Sequence, residues 1–576
     1  MTMNNEQTVH LPATIPFFPY FIQGNKIMKV ETDMKGKTKI KEIARRTEIV
    51  AIQKDINTKQ VTLHLSFNYM GDTQTIEIAR GVLARNKITE LLQYGVDVVD
   101  HKKMDVLMFL SKQEETAPLV YTHQSIGFDK VDEQLIFKHW QAIGVDSNYK
   151  GPLLLQPQGT YKRWHSLMQE HAIGHTPLEL ALVLGLSAPI SSLIARYTGL
   201  EVIVFHIYGD SSQGKTTALR VATASFGYPH TKEGGLIKTW NGTQNAMLAS
   251  LRNNYGVPIA FDEASMHSGD FSKFVYLLAS GQEKQRLDRE SQLREQGGWE
   301  GVILSTAEHS LQTKSKQNIG IQMRLFEIGN TNWTTSAQNA DALKEGLLQN
   351  YGHAGFEFVK YIMALGDDTI YQKWNQWREL IGQCIDNPDH FSQRISDKLA
   401  ILMVTAEITR EALELTLDID SILDMLMEMV KETSDQRDIG EKAYSFFLES
   451  VTKNRSKFVT DGTFGGSYEC WGKLVEKDGR PYEVYILTNV FESMMREGNF
   501  EDVTVILRNW KAKKLLDHEN GKLTRKKTIL RGIDNRVYVV RLQQADLPRD
   551  GANSRKIRSR PNPTAELFRD DESSPD

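Results

Sequence analysis

Gly209-Asp210-Ser211-Ser212-Gln213-Gly214-Lys215-Thr216 is the stretch that decides how this chain reads. The apolar run Val202-Ile203-Val204-Phe205-His206-Ile207-Tyr208 leads into it, and Lys215-Thr216-Thr217-Ala218-Leu219-Arg220 opens a helix after it. Strand, glycine-spaced loop and helix in that order are the context a P-loop requires. The glycines let successive backbone N–H groups converge on phosphate oxygens, and the helix N-terminus adds positive potential. Gly209, Asp210, Ser211, Ser212, Gln213, Gly214, Lys215, Thr216 and Thr217 are therefore the expected ATP-binding loop. Lys215 is expected to reach the β- and γ-phosphates, and the Thr216 hydroxyl to ligate magnesium.

Two further apolar runs end in polar side chains. Val257-Pro258-Ile259-Ala260-Phe261-Asp262-Glu263 closes on adjacent carboxylates. Asp262 suits magnesium, directly or through water, and Glu263 suits a general base acting on the attacking water. The plainer alternative is a strand ending in two solvated acids. Gly301-Val302-Ile303-Leu304-Ser305-Thr306-Ala307-Glu308 ends where ATPases of the AAA+ class hold the attacking water. Ser305 and Thr306 are equal candidates there, with a structural cap as the alternative. Arg324 stands between a helix and a last strand, Leu325-Phe326-Glu327-Ile328. A guanidinium at that edge suits charge neutralisation in a neighbour's site, against an ordinary surface salt bridge. The first reading requires an oligomer, an open or closed ring built from head-to-tail contacts.

The surroundings fit a multidomain protein. At 576 residues the chain exceeds a single core. Cys384 and Cys470 are its two cysteines, which excludes a disulfide framework and a cysteine zinc site and suits a cytoplasmic location. The apolar stretch 178–190 is short and holds Pro189, so a buried helix is expected rather than a membrane span. Thr176-Pro177-Leu178-Glu179 reads as a capping box at the start of that helix. Residues 1–165 read as an α+β N-terminal domain, 166–335 as the α/β ATPase core and 336–450 as a helical lid or linker. Residues 451–545 read as a winged helix and 546–576 as a disordered tail.

Charge points to DNA. The net charge of −4 hides a segment, Arg508 to Arg560, with sixteen Lys/Arg against five Asp/Glu. A basic region on an acidic protein fits a polyanionic partner, against a solvated surface. Residues 282–291 read as a hairpin, with Lys284 and Arg286 on one strand face and Arg289 near its tip. Such side chains would contact phosphates irrespective of sequence. A basic helix carrying Arg508, Lys511, Lys513 and Lys514 precedes Asn520-Gly521, the preferred dipeptide of a tight hairpin, which would hold a wing with Arg525, Lys526 and Lys527.

These motifs carry a resemblance. Gly209–Thr217, Lys238-Thr239-Trp240-Asn241-Gly242-Thr243-Gln244-Asn245-Ala246, Phe261-Asp262-Glu263, Lys284-Gln285-Arg286 and Leu304-Ser305-Thr306-Ala307-Glu308 resemble an AAA+ ATPase family of phages and mobile elements, long labelled a domain of unknown function. The match spans about 15–435, and Thr239–Ala246 is its most specific part. Overall the chain is similar to the cassette-chromosome helicases of staphylococcal resistance islands. The resemblance implies an MCM-like, hexameric, ATP- and magnesium-dependent DNA helicase of a mobile element, with single-stranded DNA in a channel and duplex at the winged helix. It implies that Arg324-Leu325-Phe326 is an arginine-finger segment and that Lys284 and Arg286 belong to a channel hairpin. Arg394 is the nearest match to a second sensor arginine. Replication proteins of the same element are implied partners. A DNA-bound initiator or recruitment switch without unwinding is the competing function.

Overall fold

A computed structural model describes residues 15–543, apart from 35, 267–270, 286, 288–292, 294–295, 314–318, 386–391, 438, 461–468, 478–479, 501 and 531. Arg286, Arg289 and the expected tail at 546–576 lie outside the described residues. The chain forms two units, 1–437 and 438–576.

The first unit centres on a five-stranded parallel sheet. Its order is Ile237–Thr239, Ile259–Asp262, Val302–Ala307, Ile203–Tyr208, Leu325–Gly329. The strands are apolar throughout because both faces are covered, as parallel sheets require. Phe205, Ile259, Phe261 and Leu304 are fully buried. The strand ending in Ser305 and Thr306 lies between the P-loop strand and the strand ending in Asp262. That interposition sets three loops side by side at one end of the sheet.

The helix Thr176–Thr198 packs beneath this layer with 94% of its most apolar window buried, so it is a core helix. Its Gly185 has no room for a side chain, since a Cβ there would lie 1.8 Å from the Ala222 carbonyl of the P-loop helix Lys215–Ala224. The expected capping box at Thr176 does not form. His175 takes the cap position, and Thr176 already lies in the helix. Glu179 reaches further back, accepting from the Gly174 N–H at 2.7 Å, and its other oxygen accepts from the Asp418 N–H at 2.8 Å. The carboxylate therefore ties the helix start to a distant segment instead of closing a local box.

Towards the N-terminus, the Val61–Tyr69 strand pairs antiparallel with Asp72–Ala79, with Leu63, Leu65 and Phe67 buried. The Lys103–Glu114 helix covers that sheet, and Val106, Phe109 and Leu110 share its core. After the last core strand come helices Ala337–Gln349, Ala354–Leu365, Asp367–Cys384, Ser392–Leu413 and Ile419–Arg437.

The second unit has its own core around Trp510, whose ring meets Tyr444, Phe447 and Phe491 edge-on. Helix Thr488–Glu497 starts after Leu487 and buries Phe491, Met494 and Met495. Helix Val503–Ala512 is capped by Asp502, whose carboxylate accepts from the Thr504 and Val505 N–H groups. The wing differs from the expected hairpin. Leu516–Asp517 and Arg525–Leu530, which flank Asn520-Gly521, do not pair with each other; each pairs with Ile533–Arg541. Gly532, with φ 84°, stands between the paired strands Arg525–Leu530 and Ile533–Arg541.

Candidate nucleotide site

The P-loop residues meet the two carboxylate-bearing loops around a cavity of about 720 Å³. That volume falls within the range of small-molecule sites. Gly214 caps the helix Lys215–Ala224 with φ 80°, and a Cβ on it would sit 2.6 Å from Thr334 Oγ1. Glycine is thus required both by conformation and by the close approach of a third wall. Lys215 Nζ donates to the carbonyls of Gly209 at 2.8 Å and Asp210 at 2.6 Å. Burial lowers its pKa, while Glu308, Asp262 and Asp210 act in the other direction.

Asp262 is buried and joins the start of helix Lys215–Ala224 to the strand Val302–Ala307. Thr216 Oγ1 donates to its Oδ2 at 3.0 Å, and the Thr306 hydroxyl donates to its Oδ1. Thr306 also accepts from the Glu263 N–H at 3.2 Å. Glu263 is exposed and has φ 65°, a left-handed conformation that non-glycine residues adopt at a cost of about 1–3 kcal/mol. Such strained positions concentrate at functional sites. The turn points the Glu263 side chain to the cavity while Asp262 stays in the strand. Thr216 and Asp262 together offer the hard oxygen donors that magnesium prefers.

Ser305 and Thr306 separate clearly. Thr306 lines the cavity; Ser305 is fully buried on the other face of its strand. The Ser305 hydroxyl accepts from Trp240 Nε1 at 3.1 Å and stands 3.0 Å from His206 Nδ1. His206 Nε2 lies 3.1 Å from the His309 carbonyl, which can only accept, so Nε2 carries the proton and Ser305 donates to Nδ1. Burial holds the His206 pKa down at about 4, keeping the ring neutral. Trp240 is packed by Phe261, Phe271 and Phe274, and its backbone N–H donates to the Asp262 carbonyl at 3.1 Å. The specific Thr239–Ala246 segment thus braces the strand that carries Thr306.

A third wall comes from a segment that carries no nucleotide-binding motif. Thr334, Ser336, Ala337, Ala340 and Asp341 line the cavity from the start of helix Ala337–Gln349. Its sequence signal is Ser336, which caps that helix by accepting from the Asn339 N–H at 3.1 Å. Glu308 also lines the cavity and accepts from the Ser211 hydroxyl at 2.9 Å.

Arg324 lies away from this cavity. It directly precedes the strand Leu325–Gly329, whose Leu325 aligns with Val204, whereas the P-loop begins after Tyr208. For Arg324, one residue earlier, that offset is roughly 20 Å at ~3.3 Å per residue. Arg324 pairs with Glu201 at 2.5 Å, donates to the Gly320 carbonyl at 3.0 Å and covers the Tyr276 ring at 4.7 Å. Arg394 is exposed on helix Ser392–Leu413, and its charge, like that of Arg324, reaches the buried Lys398 on the same helix.

The stretch containing Lys284 forms antiparallel bridges at Gln282–Gly298 and Leu287–Leu293, as a hairpin does, and Lys284 is exposed. In the second unit the basic residues divide. Arg525 pairs with Asp517 at 2.7 Å, Lys526 with Asp534 at 3.4 Å and Lys513 with Glu441 at 3.4 Å, while Lys527 covers Tyr485 at 4.8 Å. Arg508, Lys511 and Lys514 are exposed and carry no ion pair among the described residues. The described residues hold no cluster of metal-ligating side chains.

The fold and cavity define a class: an α/β protein with a P-loop site, joined to a C-terminal helix-turn-helix unit. The family described as "Domain of unknown function (DUF927)" matches residues 20–297, and the "Cch helix turn helix domain" matches residues 438–545. A solved structure described as SCCmec type IV Cch, an active helicase, is 26% identical with a TM-score of 0.74, covering 91% of this chain and 97% of that one. Over 91% of its length the chain is thus similar to a cassette-chromosome helicase, and the two family models match it in separate stretches. The C-terminal region of NrS-1 aligns at 11% identity over 85% of this chain and 96% of that one, with a TM-score of 0.26, too low to bear on the fold. No curated protein sequence matches.

Proposed function

We propose that the chain is an ATP-driven DNA helicase of a mobile element, of AAA+ type, hydrolysing ATP at the P-loop cavity. The observation that carries this is Asp262, held by Thr216 from the P-loop and by Thr306 from the interposed strand, with Glu263 beside it facing the same cavity. The loop N–H groups and Lys215 bind the phosphate chain. Thr216 and Asp262 would hold magnesium, which would supply charge neutralisation on the phosphate oxygens. Glu263 accepts a proton from the attacking water, and Thr306 fixes that water through its hydroxyl. Ser305 holds the strand from behind. The wall from Thr334 to Asp341 receives the nucleoside.

Arg324 stands too far from its own loop to serve it, which supports a role in a neighbouring subunit's site. Subunits would then close head to tail into a ring, hexameric by analogy, with the Glu201 pair opening as the finger engages. Lys284, with Arg286 and Arg289, would face the single strand in the channel. Arg508, Lys511 and Lys514 would meet duplex phosphates through the helix-turn-helix unit, with Lys513, Arg525, Lys526 and Lys527 in reserve behind their present partners. A steady-state ATPase assay with and without single-stranded DNA tests the reading. Stimulated hydrolysis that Lys215→Ala abolishes is expected; hydrolysis unaffected by Lys215→Ala contradicts it.

A further inference from the structure

Glu308 is a further carboxylate in the nucleotide cavity, beside Asp262, Glu263 and Asp341, and the function above gives it no part. It follows the strand Val302–Ala307, and its Oε1 accepts from the Ser211 hydroxyl at the P-loop at 2.9 Å. Its backbone N–H donates to Ser265 Oγ at 3.0 Å, two residues past Glu263. Its charge also reaches Lys215. The Glu308 side chain therefore touches the phosphate loop, while its main chain touches the segment that carries the base.

We infer that Glu308 is an electrostatic latch that sets nucleotide affinity according to phosphate charge. This rests on the nucleotide reading above and concerns the regulation of that same site. A triphosphate seated on the P-loop brings several negative charges beside Lys215, into the space the Glu308 carboxylate faces. Like charges repel at this range, more strongly where solvent is partly excluded. Binding must therefore draw Glu308 away from Ser211, and the Ser265 contact carries that movement to the Glu263 turn. The penalty grows with the number of phosphate charges. The latch consequently narrows the affinity gap between ATP and ADP that the loop N–H groups and Lys215 would otherwise create.

Glu308→Gln tests this well, because the amide oxygen can still accept from Ser211 while the charge is gone. Both side chains are exposed, so the fold should not depend on the pair. Calorimetric titration of the full-length chain with ATP, ADP and AMP, each with magnesium, supplies the readout. The variant is expected to bind ATP about fivefold more tightly, ADP by a smaller factor and AMP almost unchanged, with the gain shrinking in high salt. Unchanged or weaker ATP binding overturns the latch, as does an equal gain for all three nucleotides. Failure of the wild-type chain to bind any of them would overturn the nucleotide reading as well.

Discussion

Trp240 donates its indole N–H to the hydroxyl of Ser305 at 3.1 Å, both side chains being buried beneath the strand that carries Thr306. Two adjacent polar residues therefore have opposite surroundings, one facing protein and one facing the cavity.

Their variants should part accordingly. Thr306→Ala is expected to lower kcat by roughly 10²-fold with little loss of ATP binding, since it removes a positioned hydroxyl from the reacting end. Ser305→Ala removes the hydroxyl that accepts from the Trp240 N–H and donates to His206 Nδ1, and is expected to cost about 1–3 kcal/mol of stability. Thermal melting and steady-state kinetics on the two variants check this. A stable Ser305→Ala protein with a collapsed kcat would reverse the assignment.

Arg324→Ala is expected to retain ATP binding and to lose hydrolysis by about 10³-fold, the size of effect seen for arginines supplied in trans. Mixing it with Lys215→Ala protein should restore part of the activity, because each variant would lend the other its intact half. If mixing restores nothing, and Glu201→Gln reproduces the whole defect, the ion pair is simply structural.

Much of this site was legible in sequence because its chemistry is local. Gly209–Thr217 and Asp262-Glu263 are contiguous residues at the ends of apolar runs, and the fold places them together. Ser305 and Thr306 were inseparable because alternation assigns faces only once the sheet's two sides are known. The wing was misplaced for a related reason. Asn520-Gly521 is a strong local turn signal, yet the central strand of that sheet is Ile533–Arg541, which captures both flanking strands. Thr334 to Asp341 carry no local mark in the sequence, because they approach the P-loop from more than a hundred residues away.

Acid should destabilise the first unit. His206, His123 and His139 all have pKa values pushed down to about 4 by burial. Between about pH 6.5 and 4 the unfolded chain binds these protons and the native state does not, so stability present above pH 6.5 is lost as pH falls. Glu327, raised by burial to about 7, works the other way, because the native state takes its proton first. Melting curves from pH 7.5 to 4.5 should show a falling Tm, falling more steeply in Glu327→Gln. A flat profile in both proteins would contradict the buried neutral histidines.

The helix-turn-helix unit should bind duplex mainly through Arg508, Lys511 and Lys514. Replacing all three with alanine is expected to weaken binding evenly across sequences and to reduce the salt slope by about one for each phosphate left without its cation. Fluorescence anisotropy at several salt concentrations checks this. A larger loss of affinity from Arg525→Ala with Lys526→Ala would move the DNA-binding surface to the wing.

Strand displacement on a forked DNA duplex, comparing the wild-type chain with Glu263→Gln, tests the central claim most directly. The wild type is expected to separate the strands only with ATP and magnesium, and Glu263→Gln to bind the same fork and leave it paired. Hydrolysis of ATP by the wild type with no strand separation on any fork would contradict the helicase and favour a DNA-bound switch.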